Sequence, residues 1–192
     1  MSFCIGKDRL TNGAKILETN DRGALLELDK EGAGILIPEF LSRKERYFIF
    51  KVKVLEEHSV SMNLLIYGED PAEPVMNIRF GILPKLETQM CIDRTWFEGN
   101  VLFPENLAGD LKIVCHGRRI AQEEITRVVL SSLQAFHNQK IVLTDLDFVK
   151  EAPEVKLTNE KMVDAFGQNK RKEWKEKIHS EEELKETMNC KL

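Results

Sequence analysis

Tyr47-Phe48-Ile49-Phe50-Lys51-Val52-Lys53-Val54 is the stretch of sequence that decides the fold. In an extended chain its even-numbered positions, which are all phenylalanine or valine, share one face, while Lys51 and Lys53 lie on the other. This two-residue period is typical of a half-buried strand. We therefore expect a core strand with one wetter side.

Similar short apolar runs, separated by turn residues, recur on both sides of this stretch at spacings typical of a β-sandwich. They show no alternation with long helices, so a parallel sheet with crossover helices is disfavoured. We predict an all-β fold, an antiparallel jelly-roll β-sandwich of about ten strands with a short helical C-terminal extension. The predicted strands are 14–19, 24–28, 35–38, 46–55, 61–67, 75–83, 89–93, 111–115, 127–133 and 140–149.

Two segments leave local details open. A hairpin between strand 61–67 and the strand before it is compatible with their spacing. Residues 122–133 fit a helix or a strand by periodicity, but Arg127-Val128-Val129-Leu130 is rich in β-branched residues. We therefore expect a short helical turn near 121–126, followed by a strand.

The strand pattern stops near Glu151, which divides the chain into a sandwich at 1–151 and an extension at 152–192. The extension begins as an extended connector. Thr158 as N-cap and Gly167 as C-terminal stop predict a short helix between them. Ser180 and Glu183 form a capping box for a last helix, which has almost no apolar stripe of its own.

Composition excludes several classes of function. The chain has 192 residues and a net charge of −4, with 28 basic and 32 acidic residues interspersed, so no dense basic face for nucleic acid is expected. No segment resembles a signal peptide or a membrane span, and we expect a cytoplasmic protein without a membrane partner. The four cysteines lack ligand spacing and are interpreted as free thiols rather than as a zinc site.

Two regions together covering about half of the chain resemble agarase-type glycoside hydrolases. The tail, Val163 to Asn169 followed by Trp174, Lys177, His179-Ser180 and Glu183-Leu184, is similar to the segment that leads into their catalytic barrel. The stretches Ile78 to Pro84, Leu102-Phe103-Pro104 and Gly117 to Ile120 are similar to the jelly-roll domain that precedes that barrel.

The resemblance implies a galactose-binding-like sandwich in front of a covalently linked hydrolase barrel that this chain does not contain. It places the catalytic acids on that barrel, and the 32 acids here offer no motif that picks out a pair. We therefore expect the chain alone to be inactive. The leading hypothesis is a non-catalytic carbohydrate-binding-like domain for galactan-type oligosaccharides. The alternative is a purely structural domain that packs on the barrel or mediates oligomerisation, and a free-standing enzyme is a third, disfavoured hypothesis.

Four side chains are candidates for sugar binding. Trp96 could stack on a pyranose ring, although a ring of this size also serves to plug the end of a sandwich. Arg79, Arg118 and Arg119 carry forked donors suited to vicinal hydroxyls or a sulfate group. The alternative for each arginine is a solvated position on a strand or loop, where Arg118 and Arg119 could pair with glutamates nearby.

Asp145 and Asp147 are weak candidates for a structural calcium site, and no other cofactor is expected. Two residues apart on the last strand, they are predicted to project to the same face. Calcium prefers six to eight oxygen ligands. Only two can be argued here, Asp145 or Asp147 together with Glu27 or Asp29 near the first strands, so a solvated face is the favoured interpretation. His116 has no second ligand at metal spacing.

Overall fold

The computed structural model describes residues 4–98, 113–133 and 138–153, without the side chains of Trp96, Ile113 and Val114. These residues all lie in the first of two units, Met1–Lys156, into which the chain divides. Both helices predicted for the extension, and the whole tail that carries the resemblance, lie outside the described residues. The predicted domain boundary therefore stays a prediction.

Ten strands and one short helix account for most of the described chain, and the predicted strands are confirmed with ends that differ by at most two residues. Three 3₁₀ segments, Lys7–Arg9, Arg94–Phe97 and Gln122–Glu124, complete the elements, and the last confirms the predicted turn near 121–126. The strands and helix are β1 (Ala14–Thr19), β2 (Gly23–Leu28), β3 (Gly34–Leu36), α1 (Glu39–Ser42), β4 (Tyr47–Val54), β5 (Val60–Tyr67), β6 (Met76–Ile82), β7 (Glu87–Asp93), β8 (Ile113–Gly117), β9 (Arg127–Ser132) and β10 (Gln139–Val149).

The strands form two five-stranded sheets. The first sheet has the order β1-β2-β10-β4-β7, and the second sheet has the order β3-β9-β5-β6-β8. The pairing between neighbouring strands is antiparallel throughout both sheets. The predicted all-β, antiparallel jelly-roll sandwich is confirmed.

The spacing allowed a hairpin between β4 and β5, and this prediction is wrong. Both edges of β4 are occupied, by β10 and β7, and β5 lies in the second sheet between β6 and β9. The connection at 55–59 instead crosses from one sheet to the other. This outcome depends on long-range pairing of β4 with β10, which local spacing does not reveal.

The core lies between the sheets and follows the alternation read from the sequence. In β4 every even-numbered position from Phe48 to Val54 is buried, whereas the positions between them are half-buried. At one end of the sandwich, the ring of Phe40 from α1 packs 5.0 Å from Phe48 and 4.9 Å from Phe148, between ring centroids. This aromatic cluster ties α1 to β4 and β10.

Among the residues that the structure describes, no helix combines the length and apolar character needed to cross a bilayer.

Candidate functional site

The outer face of the second sheet carries an unusual group of polar side chains. On β5, Met62, Leu64 and Ile66 are buried in the core, so the alternate residues project away from it. The strand register then places Asn63 between Arg79 of β6 and Ser131 of β9. We call the outward side chains of Asn63, Asn77, Arg79, Arg127 and Ser131 the polar face.

Four atoms of the polar face are buried and have no hydrogen-bond partner in the described part of the chain: Asn63 Oδ1, Asn77 Oδ1, Ser131 Oγ and Arg127 Nε. Asn63 is only 3% exposed and Ser131 is 0% exposed. Within the described residues, only two other side-chain atoms share this property. Since an unpaired buried polar group costs roughly 1–3 kcal/mol, their concentration on one face requires an explanation.

Arg79 lies on β6, at one side of this face. It lies opposite Asn63 on one side and Val114 on the other in the strand register, and it is exposed. None of the described residues forms a hydrogen bond or ion pair with its guanidinium, so all five donors are available. Beside it, a Cβ added at Gly81 would meet no described atom within 4 Å, so the surface there is open.

At the end of the face, an arginine and a tyrosine form a fixed platform. The Arg127 guanidinium carbon lies 3.9 Å from the centroid of the Tyr67 ring, and Nη2 donates to the backbone oxygen of Pro71 at 2.8 Å. These contacts restrict the guanidinium while its Nε stays unpaired.

The polar face combines three kinds of hydrogen-bonding group. Amide oxygens accept hydrogen bonds, a hydroxyl donates and accepts them, and guanidinium groups donate them. A ligand hydroxyl can accept from the exposed guanidinium of Arg79, whereas the unpaired oxygens of Asn63 and Asn77 are buried and are not directly accessible to a ligand. A set of amide, hydroxyl and guanidinium groups does not by itself supply a nucleophile or an acid and base pair.

Of the three predicted sugar-binding arginines, whose side chains the structure describes, it brings only Arg79 to this face. Arg118 and Arg119 are exposed in the loop after β8, and within the described chain neither forms an ion pair with the nearby glutamates. Trp96 lies in the 3₁₀ segment Arg94–Phe97, but its side chain is outside the described residues. Its neighbour Phe97 is fully buried, 5.8 Å from Phe40 between ring centroids, and plugs the end of the sandwich.

The two candidate calcium ligands are occupied by cationic side chains. Asp145 accepts from Arg22 Nη2 at 2.6 Å and lies 3.0 Å from Lys51 Nζ, contacts that lower its pKa to about 2. Asp147 lies 3.8 Å from Arg43 Nη2. A β-bulge also interrupts β10 between Thr144 and Asp147, so the regular spacing expected for the pair is absent. The described residues contain no group of three His, Cys, Asp or Glu able to hold a metal, and calcium stays a prediction.

Three of the four cysteines, and His116, lie in the described part of the chain. Cys4, Cys91 and Cys115 are free thiols, and burial raises the pKa of Cys91 and Cys115 to about 11, which suppresses the reactive thiolate. His116 is exposed on β8, opposite Asn77 in the register.

Sequence reasoning missed Asn63, Asn77 and Ser131. The available signal was a polar residue at an outward position of a strand, as in Met62-Asn63-Leu64, but such residues are normally solvated. What marks these three is burial without a partner, which depends on neighbouring strands. Sequence reasoning also missed Arg94, whose guanidinium is buried at the end of the sandwich.

Arg94 is a structural residue rather than a ligand-binding one. Its guanidinium donates to the backbone oxygens of Phe40, Arg43 and Glu45 at 2.9, 2.6 and 3.1 Å, and to Gln122 Oε1 at 3.2 Å. Burial lowers its pKa. The side chain joins α1, the loop before β4 and the segment Gln122–Glu124.

Comparison with known proteins supports the fold. No protein-family model matches the chain, and no curated protein matches it. A solved structure described as an exo-beta-agarase is similar, with a TM-score of 0.52 and 14% sequence identity over 76% of this chain. The chain spans only 23% of that protein's length. At this identity the likeness establishes a shared β-sandwich fold, and no family is assigned.

Proposed function

We propose that this chain is a non-catalytic, saccharide-binding β-sandwich, accessory to a larger carbohydrate-active protein. The observation that carries the proposal is the cluster of unpaired polar atoms on the polar face. A galactan-type oligosaccharide is the ligand we propose, and an agarase-type hydrolase barrel is the proposed covalent partner. The fold shared with part of an exo-beta-agarase supports this choice.

A ligand can contact the polar face directly through Arg79, because this guanidinium is exposed and has no partner among the described residues. The unpaired oxygens of Asn63 and Asn77 are buried, so a ligand meets them only if neighbouring side chains move aside. A saccharide hydroxyl both donates and accepts hydrogen bonds, so one ring can accept from Arg79 and donate to these oxygens once they are uncovered. Binding then recovers part of the cost of leaving these oxygens unpaired in the free protein.

The test is calorimetric titration of the full chain with neutral agar oligosaccharides. Substituting Arg79→Ala removes exposed donors without touching the core, and we expect binding about tenfold weaker, since a hydrogen bond from a charged group contributes roughly 1.5–3 kcal/mol. Lys30→Ala is the control, an exposed cationic side chain in the turn between β2 and β3, and it should bind like the unmodified chain.

The structural alternative uses the same face differently. Burial of Asn63 and Ser131 also suits a surface that packs against a neighbouring domain. In that case no saccharide produces heat, and Arg79→Ala changes nothing in the titration. That result would overturn the saccharide proposal and favour the packing role.

A further inference from the structure

A cleft of about 540 Å³ lies at one end of the sandwich, where the loop before β4 meets the residue that follows β10. It is separate from the polar face, which belongs to the other sheet. Four of its six lining residues are cationic and one is acidic. The lining residues are Ser42, Arg43, Lys44, Glu45, Arg46 and Lys150.

The two arginines of this cleft are held in place from one side. Arg46 donates through Nε and Nη2 to the Asp93 carboxylate, at 3.1 and 2.7 Å, and its guanidinium carbon lies 5.0 Å from the centroid of the Tyr47 ring. Arg43 donates through Nε to Glu45 at 3.0 Å and through Nη2 to the backbone oxygen of Phe148 at 3.3 Å. In both arginines Nη1 has no partner among the described residues.

The two lysines contribute charge without a fixed contact. Lys44 and Lys150 are exposed, and no acidic side chain of the described chain forms an ion pair with either ammonium group. The lining thus has three more positive than negative charges, counting four cations against Glu45. Asp93 and Asp147 lie behind Arg46 and Arg43 and reduce this excess, so a modest affinity is expected.

Two restrained guanidinium groups, whose Nη1 donors are free among the described residues, lie beside two exposed ammonium groups. This arrangement suits a compact oxyanion. Guanidinium groups bind such oxygens with defined geometry, and lysines add charge that adapts to the ligand. We propose that this cleft binds an oxyanion of the sulfate, phosphate or carboxylate type. The source is either a free inorganic anion or an acidic substituent on a saccharide. This proposal does not rest on saccharide binding by the polar face.

The test is NMR titration of the isotope-labelled full chain with sodium sulfate and with sodium phosphate, at an ionic strength held constant with sodium chloride. We expect saturable shifts of the backbone amides between 42 and 46 and at 150, with a dissociation constant on the order of 1 mM. The double variant Lys44→Gln/Lys150→Gln should weaken sulfate binding about fivefold or more. Lys30→Gln/Lys140→Gln is the matched control outside the cleft and should leave it unchanged.

Two further arms distinguish the sources of the anion. A sulfated galactan oligosaccharide that shifts the same amides more strongly than inorganic sulfate supports a saccharide-borne group, whereas equal or weaker shifts support a free anion. A neutral oligosaccharide should not shift these amides. The cleft proposal is overturned if the shifts do not saturate with either probe. It is also overturned if the Lys44→Gln/Lys150→Gln variant binds as tightly as the unmodified chain. Neither result affects the proposal for the polar face.

Discussion

At the scale of single residues, the decisive property is whether a polar side chain has a partner. Arg79 could be selected from the sequence because arginine is a versatile donor wherever it lies. Asn63 and Ser131 could not, because their surroundings depend on which strands lie beside them, β6 and β9 for Asn63 and β3 and β5 for Ser131. Conversely, Asp145 was considered as a calcium ligand, yet it lies between two cations, Arg22 and Lys51.

The Asp145 ion pairs predict a pH-dependent contribution to stability. Since its folded pKa of about 2 lies below the ordinary aspartate value of about 3.9, the contribution is complete above pH 4 and is lost as the pH falls through 2. Asp145→Asn should therefore destabilise the chain by about 1 kcal/mol at neutral pH and by less at pH 2.5. Asparagine also tolerates the positive φ of 54° at this position.

Urea unfolding at the two pH values measures this difference. Asp21→Asn, an exposed change in the turn next to Arg22, serves as the control and should alter the unfolding free energy by less than about 0.5 kcal/mol. An Asp145→Asn effect that is the same at pH 7 and pH 2.5 would show that the ion pairs are not its cause.

At the scale of elements, the strands were predictable and their partners were not. Alternation in β4 fixes both its extended conformation and its buried face, because the side-chain period of a strand is two. Nothing local indicates that β4 pairs with β10 and β7, or that Thr144 to Asp147 contains a bulge. Strand pairing is decided by the best burial for the whole chain, so the β4 and β5 hairpin was a reasonable but wrong alternative.

The Arg94 side chain holds several elements together through its hydrogen bonds. Arg94→Lys keeps the charge but replaces a planar fork with one ammonium group, which cannot reach all four acceptors. We expect a loss of about 2–4 kcal/mol in unfolding free energy, because buried carbonyl oxygens are left unpaired. Urea denaturation provides the measurement, with the exposed Arg118→Lys as control. A loss below about 1 kcal/mol would mean that these elements are held mainly by the Phe40 aromatic cluster.

At the scale of the whole molecule, regular alternation in about ten short runs was enough to predict a two-sheet sandwich. The described residues realise it as a jelly roll with two five-stranded sheets. The fold is shared with part of an exo-beta-agarase, but a fold hosts many functions, so the function has to be argued from a site. Here that site is the polar face, which exists only once β9, β5 and β6 are assembled side by side.

The most direct test of this account maps the saccharide onto the molecule. Backbone amide shifts of the isotope-labelled full chain are followed during titration with neutral agar oligosaccharides. If the polar face binds the saccharide, the largest saturable shifts lie along β5, β6 and β9, around Asn63, Arg79 and Ser131. Saturable shifts confined to other parts of the chain, or no shifts at millimolar ligand, would contradict this proposal.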